Sequence, residues 1–502
     1  MSGKHSTPVR GLMSTKKSPL FSGAFGRMFR SLRPATFGDT DDENIAILAK
    51  LGRAMSAPRD PGDPKDGRDD EESGIPALYT YFGQFIDHDL TFDPNSTLQK
   101  HNDPDALVDF RTPAFDLDNV YGRGPDDQPY MYDGNMSFLL GEKLDGADSD
   151  AADLPRNNAM VRRALIGDPR NDENTIVSQL QGLFHRFHNR TVKDNPQLDF
   201  GEVQKLVRFH YQYIILNDFL PRIVHSSVIS ALKVAERFDA RNLQFFHWKH
   251  ETFMPVEFSV AAYRLGHSMI RPGYRLNDNV LLPIFPVPAG NLNEGLTGFR
   301  AMNTHWGIDW GRFIDVDVRT YDGTLGENKR RLQFAYRLDT SIVNPLESLP
   351  SSVAENPNSL AQRNLERAWR LGIPSGQDVA RAMHIEPLND SNIFIGKGTE
   401  VTDPDATPIT AISAVFANNC PLWTYILAES MQSMETVKLP VVGDITVKMP
   451  RLGPVGGRIV GEVFLGLMFG DSNSMLSLAP DWQPKSGPNY ALKDFVNYAL
   501  GR

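Results

Sequence analysis

The chain has 502 residues, 40% of them hydrophobic and 23% charged, with a net charge of −10. That is the balance of a globular chain with a large core, not of a disordered one. It argues against a nucleic-acid binder, which needs a basic face. The one cysteine, Cys420, excludes an internal disulfide framework, so nothing here requires an oxidising compartment.

The longest apolar run, Val463 to Phe469, is far below the ~20 residues of a membrane span. Length alone suggests two or more domains, yet no linker divides the chain. Residues 1–35 carry Lys4, Arg10, Lys16, Lys17, Arg27, Arg30 and Arg33 and no acid, without the apolar segment of a secretory signal. This predicts a basic flexible arm over 1–30 and one domain over 31–502, cytoplasmic or exported by a non-standard route. Asp39 to Met55 reads as a helix, with acids in its first turn and apolar Ile45, Ile47, Leu48 and Leu51 behind them. Pro58 to Ser73, rich in Asp, Pro and Gly, reads as an exposed loop.

Ala77 to Pro94, ALYTYFGQFIDHDLTFDP, then concentrates polar chemistry in an aromatic run. On a helix Gln84 and His88 share a face, Asp87 lies beside it, and Asp89 points elsewhere. The first three suit a pocket where a proton moves, and Asp89 suits a hard cation. An exposed polar face with a satisfied histidine is the competing meaning.

In Phe110 to Pro125, FRTPAFDLDNVYGRGP, the residues Thr112, Asp116 and Asp118 alternate at a period of two, with the Ala114 carbonyl between them. Such a row of hard oxygens suits calcium. A polar surface turn explains it equally until a further ligand is found.

Asp168 and Pro169 have the form of a helix N-cap followed by proline at the first position, and a long helix to Val192 is expected. Arg170 and Glu173, three apart, are set side by side on it. His185 and His188 lack a third metal ligand and read as core. Glu202 to Ile223 is an apolar helix, and Phe245 to Trp248 is aromatic packing. Met254 to Leu276 predicts about four helical turns ended by Pro272-Gly273, with His267 near the end. Asn358 to Gln377 predicts a helix stopping at Gly372, with Leu360, Asn364, Arg367 and Leu371 on one face. A buried Asn there needs a bonded amide.

Five of these segments, in order, resemble the animal-type haem peroxidases of the peroxidase–cyclooxygenase superfamily: GQFIDHDLTF, the Thr-to-Val-Tyr-Gly loop, GDPRNDE with HNR, RLGHSMIRP, and the Asn364 helix. The last helices, NCPLWTYILAES and LGPVGGRIVGEVFLGLMFGD, are similar to microbial members. The resemblance implies a mostly α, single large haem-peroxidase domain with little β structure. His267 becomes the haem-iron ligand, Asn364 accepts from its ring, and Arg264 and Arg367 pair with propionates. His88 becomes the distal base, Arg170 the distal cation, and Gln84 the group that positions water or an anion. Asp87 and Glu173 take the ester-linking positions of haem b.

Asp89 supplies calcium's missing ligand beside Thr112, Ala114, Asp116 and Asp118. Departures from the family are few. One cysteine stands where the secreted animal enzymes are cysteine-rich, Asp118 replaces a serine, Asn174 a methionine and Thr91 an aspartate.

The implied activity is reduction of hydrogen peroxide, through compound I, with oxidation of halide or pseudohalide anions or phenolic donors, a role in the response to oxidative stress. The alternative is a haem-dependent fatty-acid dioxygenase. The radical tyrosine of cyclooxygenases falls where this chain has Arg264, and Tyr263 is the nearest phenol.

Overall fold

The computed structural model describes residues 23–57, 71–91, 108–109, 111–134, 136–146, 151–286, 292–319, 330–351, 353–354, 356–396, 407–440 and 445–502. Most of the predicted loop at 58–73, residues 92–94 and Phe110, and residues 1–22 of the predicted arm lie outside them. Residues 23–30, assigned to that arm from sequence, are instead part of the fold. Gly23–Gly26 pairs with both Val108–Asp109 and Met254–Pro255. Phe25 and Phe29 are buried, and the carboxylate of Glu257 accepts from the backbone N–H of Met28 and of Phe29, each at 3.1 Å. The two phenylalanines supply the apolar anchor of this segment, whose sequence from about Phe25 onward already resembles the start of the domain in microbial members.

The architecture is helical, with only short two- and three-stranded pairings among the described residues, as the mostly α expectation required. Thr40 and Glu43 form a reciprocal capping box at Asp41–Met55, satisfying two backbone donors that a helix start leaves open. No helix among the described residues is long and apolar enough to cross a membrane.

The Leu78–Leu90 helix sits at the centre because its non-polar face is aromatic. Phe85 stacks on Phe184 of the Thr175–Asp194 helix at 4.4 Å between ring centroids, and Phe82 meets Phe219 and Tyr211 edge-on. Phe184 and Phe187 in turn pack on Phe495 of the Leu492–Leu500 helix. Aromatic pairs of this kind add about 0.5–1.5 kcal/mol each beyond their buried area, so this helix is fixed from two sides.

Two predicted helices are differently built. Asp168 caps only a 3-10 turn, Pro169–Asp172, and the long helix begins again at Asn174, whose side chain accepts from the N–H groups of Ile176 and Val177. A second capping residue six positions on interrupts the run. The proximal segment is not four regular turns but Val256–Val260, a break at Ala261, and a 3-10 stretch Ala262–His267. The guanidinium of Arg264 donates through Nε to the Ser259 carbonyl at 2.8 Å, giving that acceptor a side-chain partner at the break. In a 3-10 turn residues three apart eclipse, so Arg264 and His267 face one way. The Leu360–Arg370 helix starts at Ser359 and is followed by Gly372 at φ 63°, as its sequence predicts, the glycine accepting a left-handed conformation at no steric cost.

Candidate active site

The Leu78–Leu90 helix presents His88, only 4% exposed, between two elements. Its Nδ1 lies 2.7 Å from Oδ1 of Asn171, and its Nε2 lies 3.5 Å from a carboxylate oxygen of Glu173. Gln84, one turn back, donates through its amide to the same Glu173 oxygen and accepts from Asn174 at 3.3 Å. The predicted face of Gln84 and His88 is therefore real, and the Asn171 to Asn174 stretch is its counterpart. Asp87 turns to the side, with Arg264 Nη1 at 3.6 Å, and the Thr91 hydroxyl donates to the Asp87 carbonyl at 3.1 Å.

Arg170 does not lie along Glu173 on a helix. The 3-10 turn swings its guanidinium to the end of the Leu78–Leu90 helix, where Nη2 donates to the carbonyls of His88 at 2.9 Å and Thr91 at 2.6 Å. These are carbonyls left open at a helix C-terminus. Asp168 anchors it, with Nη2 to Oδ2 at 2.7 Å. Burial would raise the Asp168 carboxyl, but Arg170 and Arg111 hold it well below the usual range. Arg111, at 2.8 Å from Asp168, ties this pair to the loop that follows.

On that loop stand Asp116 and Asp118, with Ala114 buried and Thr112 half-buried. Asp89 projects toward it: one carboxylate oxygen accepts from Leu117 N–H at 3.3 Å, while the other, fully buried, has no hydrogen-bond partner. Leu117 itself sits at φ 63°, which a branched residue rarely adopts. Burial, with the charge of Asp118, pushes the Asp89 carboxyl up to about 7. Asp116 is raised by burial and by both neighbours, and Asp118 by burial. Among the described residues no three such side chains already converge as a cation cage. What exists is a buried Asp89 with one orphan oxygen, repelled by the half-buried Asp116 and Asp118, a donor set of the hard kind calcium takes.

On the facing 3-10 stretch, Asn364 of the Leu360–Arg370 helix puts its amide nitrogen 2.7 Å from Nδ1 of His267. A half-turn of that amide brings its oxygen there instead, so that Nδ1–H donates and the Nε2 lone pair is left for a metal. Nε2 makes no hydrogen bond among the described residues. Burial, then Arg264, pushes His267 down to about 3, which keeps the ring neutral, as a ligand must be. Trp423 borders it edge-on at 6.4 Å and donates to the Arg264 carbonyl at 3.2 Å. The Tyr263 hydroxyl donates to Gly83 O at 3.3 Å, so the two histidine-bearing elements touch. Arg367 lies in the last turn of its helix, half-buried.

His185 and His188 are core, as expected: burial pushes them down to about 3 and about 4. His185 stacks on Phe138 at 4.3 Å. The reading from sequence missed Asn171, Asp168 as the anchor of Arg170, and Arg111. Only the N-D-E-N run, dense in short polar side chains just after a proline turn, signalled the first of these.

The geometry can now be set beside known proteins. Residues 97–294 match the profile of the animal haem peroxidases, a span that holds Arg170, Glu173 and His267 but neither His88 nor Asn364. A mouse peroxidasin homolog is 28% identical over 235 residues, 44% of this chain and 14% of that one. A peroxidase-like protein of Margaritifera margaritifera is 24% identical over 268 residues, 40% of this chain and 32% of its own. The chain thus spans a third or less of these relatives. In fold, peroxidase A of Dictyostelium discoideum superposes at a TM-score of 0.57 with 15% identity, over 91% of this chain and 89% of that one. A rice fatty acid alpha-dioxygenase follows at 0.53 with 14% identity, over 94% and 78%. The matched span, which includes the Pro169–Asp172 turn and His267, is thus similar in sequence to the animal haem peroxidases, a family that binds haem, and the chain shares its fold with peroxidase A and the dioxygenase.

Proposed function

We propose that the protein is a haem peroxidase, reducing hydrogen peroxide and oxidising small anionic or phenolic donors. One observation carries the reading. Two histidines from touching elements each have Nδ1 against an asparagine amide, Asn171 for His88 and Asn364 for His267, which frees both Nε2 atoms for chemistry. His267 would ligate the iron, with Arg264 and Arg367 toward the propionates and Asn364 setting the ring. Bound haem supplies the redox chemistry of the peroxide bond.

The chain's own residues handle the proton. His88 takes it from the peroxide at Nε2, acting as general base, and can return it to the departing oxygen. Arg170, pinned to the carbonyls on either side of that turn, fixes the end of the helix that carries His88 and adds positive charge near the site. Gln84 holds Glu173, which with Asp87 would supply the carboxylates of ester links to haem methyls, each link a loss of two electrons and one proton to peroxide.

The decisive experiment compares oxidants. Peroxide-dependent oxidation of iodide, bromide, thiocyanate or a phenol without oxygen uptake is expected. Rapid oxygen uptake with a polyunsaturated fatty acid, abolished in Tyr263→Phe, would overturn the reading in favour of a dioxygenase. For the links, acid–organic extraction should leave part of the haem on the protein after peroxide treatment, and Asp87→Val with Glu173→Gln should release all of it. Complete release from the unaltered protein would refute attachment.

Calcium is the second component of the proposal, held by Asp89, Thr112, Asp116, Asp118 and the Ala114 carbonyl. Its removal has a predictable pH signature. A carboxyl raised to about 7 in the fold and ordinary when unfolded, near ~3.9, costs stability as pH rises between those values, since the unfolded chain loses its proton first. In chelator the melting temperature should fall from pH 4 toward 7, and calcium should remove the slope. A profile that is the same in chelator and in calcium would count against the site.

A further inference from the structure

The side of His88 away from Glu173 opens onto a chain of buried polar side chains. Asn171, fully buried, meets Nδ1 of His88 through Oδ1 and donates through Nδ2 to Oε1 of Gln181 at 2.8 Å. Gln181, also fully buried, reaches Nε2 of His185 through its amide nitrogen at 2.9 Å. Each amide has one donor end and one acceptor end in this line, so the line has a direction. If Gln181 donates to His185, then Asn171 must donate to Gln181, and its oxygen must accept from His88 Nδ1–H. If both amides turn over, His185 donates inward and the proton of neutral His88 is displaced to Nε2.

The two directions are not equal. The Glu173 carboxylate, 3.5 Å from Nε2 of His88, attracts the proton to Nε2. Against it stands His185, stacked flat on Phe138 and kept neutral by burial. The amides themselves stand in the first direction: Oδ1 of Asn171 faces Nδ1 of His88, its Nδ2 donates to Oε1 of Gln181, and the amide nitrogen of Gln181 faces Nε2 of His185.

We propose that Asn171, oriented by Gln181 and His185, is the positioning residue that fixes the proton of His88 on Nδ1 and so leaves Nε2 as the proton acceptor. The inference rests on the peroxidase reading for its consequence, but not for its measurement. Loss of the Glu173 charge on ester formation would remove the competing pull, so the tautomer is most firmly set in the linked protein.

The test uses the full-length protein labelled with 15N-histidine and loaded with zinc protoporphyrin, a diamagnetic stand-in for haem. The ring signals of His88, assigned by their loss in His88→Gln, should report a neutral ring protonated at Nδ1. In Asn171→Leu, similar in volume but without a hydrogen bond, they should shift toward the Nε2–H form. In the iron-haem protein Asn171→Leu should slow the peroxide reaction about 10–100-fold, the usual loss on removing an outer-shell partner. Asn171→Asp, which keeps an acceptor, should recover most of it, and Gln181→Leu, which does not touch His88, should slow it too. A ring protonated at Nε2 in the unaltered protein overturns the proposal, even if Asn171→Leu does not fold. So does a Gln181→Leu protein with the original tautomer and rate. An unaltered protein inert to peroxide, but with His88 protonated at Nδ1, would instead refute the peroxidase reading and leave the positioning role standing.

Discussion

Replacement of His88 by alanine is expected to slow the reaction with hydrogen peroxide about 10²–10⁴-fold, the usual contribution of a general base, while haem is retained. On the proposed reading the ring receives the proton, since Nε2 faces Glu173 and Nδ1 is occupied by Asn171. Glu173 does not substitute for it, because its carboxylate is engaged by Gln84 and is the group expected to be consumed by an ester link. The substitution also leaves a buried Asn171 oxygen without its partner, a cost of about 1–3 kcal/mol, so a lowered melting temperature is expected alongside. His88→Gln separates the two effects. It keeps a side-chain amide within reach of Asn171 and should recover stability without recovering rate. Stopped-flow mixing with peroxide reads the rate directly, and a His88→Ala protein as fast as the unaltered one would sink the assignment.

The site was legible where side-chain chemistry follows chain geometry. Gln84, His88 and Asp89 divide between two environments because a helix turns 100° per residue, and the structure puts His88 against Glu173 and Asp89 against the Asp116 to Asp118 loop. Asn364 was marked by the cost of burying an amide between leucines, and its partner proved to be His267.

What was illegible depends on tertiary choices. Nothing local says that Asn174, rather than Asp168, starts the long helix, since both are capping residues. Only the packing of Arg170 against the end of another helix decides between them. The proximal segment has a helical pattern, but Arg264 bonding to the Ser259 carbonyl and the anchoring of Glu257 to residues 28 and 29 fix a broken form that no periodicity reports. The hydrogen-bonded line from Asn171 to His185 spans an irregular turn and a helix, and so has no period at all.

Replacement of His267 by alanine should abolish stoichiometric haem binding. The ring is neutral: burial and Arg264 push its pKa down to about 3, and Asn364 engages Nδ1, so near neutral pH Nε2 is open to a metal. Nearby alternatives are poor. His185 and His188 are sealed in the core by Phe138, Gln181 and Tyr121, and Trp423 offers no lone pair. Haem taken up by the variant would therefore lack this axial ligand, and free imidazole, entering the space left by the ring, should restore the iron's nitrogen coordination in the visible spectrum. Asn364→Leu should act more mildly, weakening haem affinity about 10–100-fold as outer-shell losses do. Asn364→Asp should bind haem well but lower the iron's reduction potential, because a carboxylate draws the Nδ1 proton and gives the ring anionic character that a neutral amide does not. If His267→Ala binds haem as tightly as the unaltered protein, with an unchanged spectrum that imidazole does not perturb, the axial ligand is another residue and the bond between Asn364 and His267 has no part in holding haem.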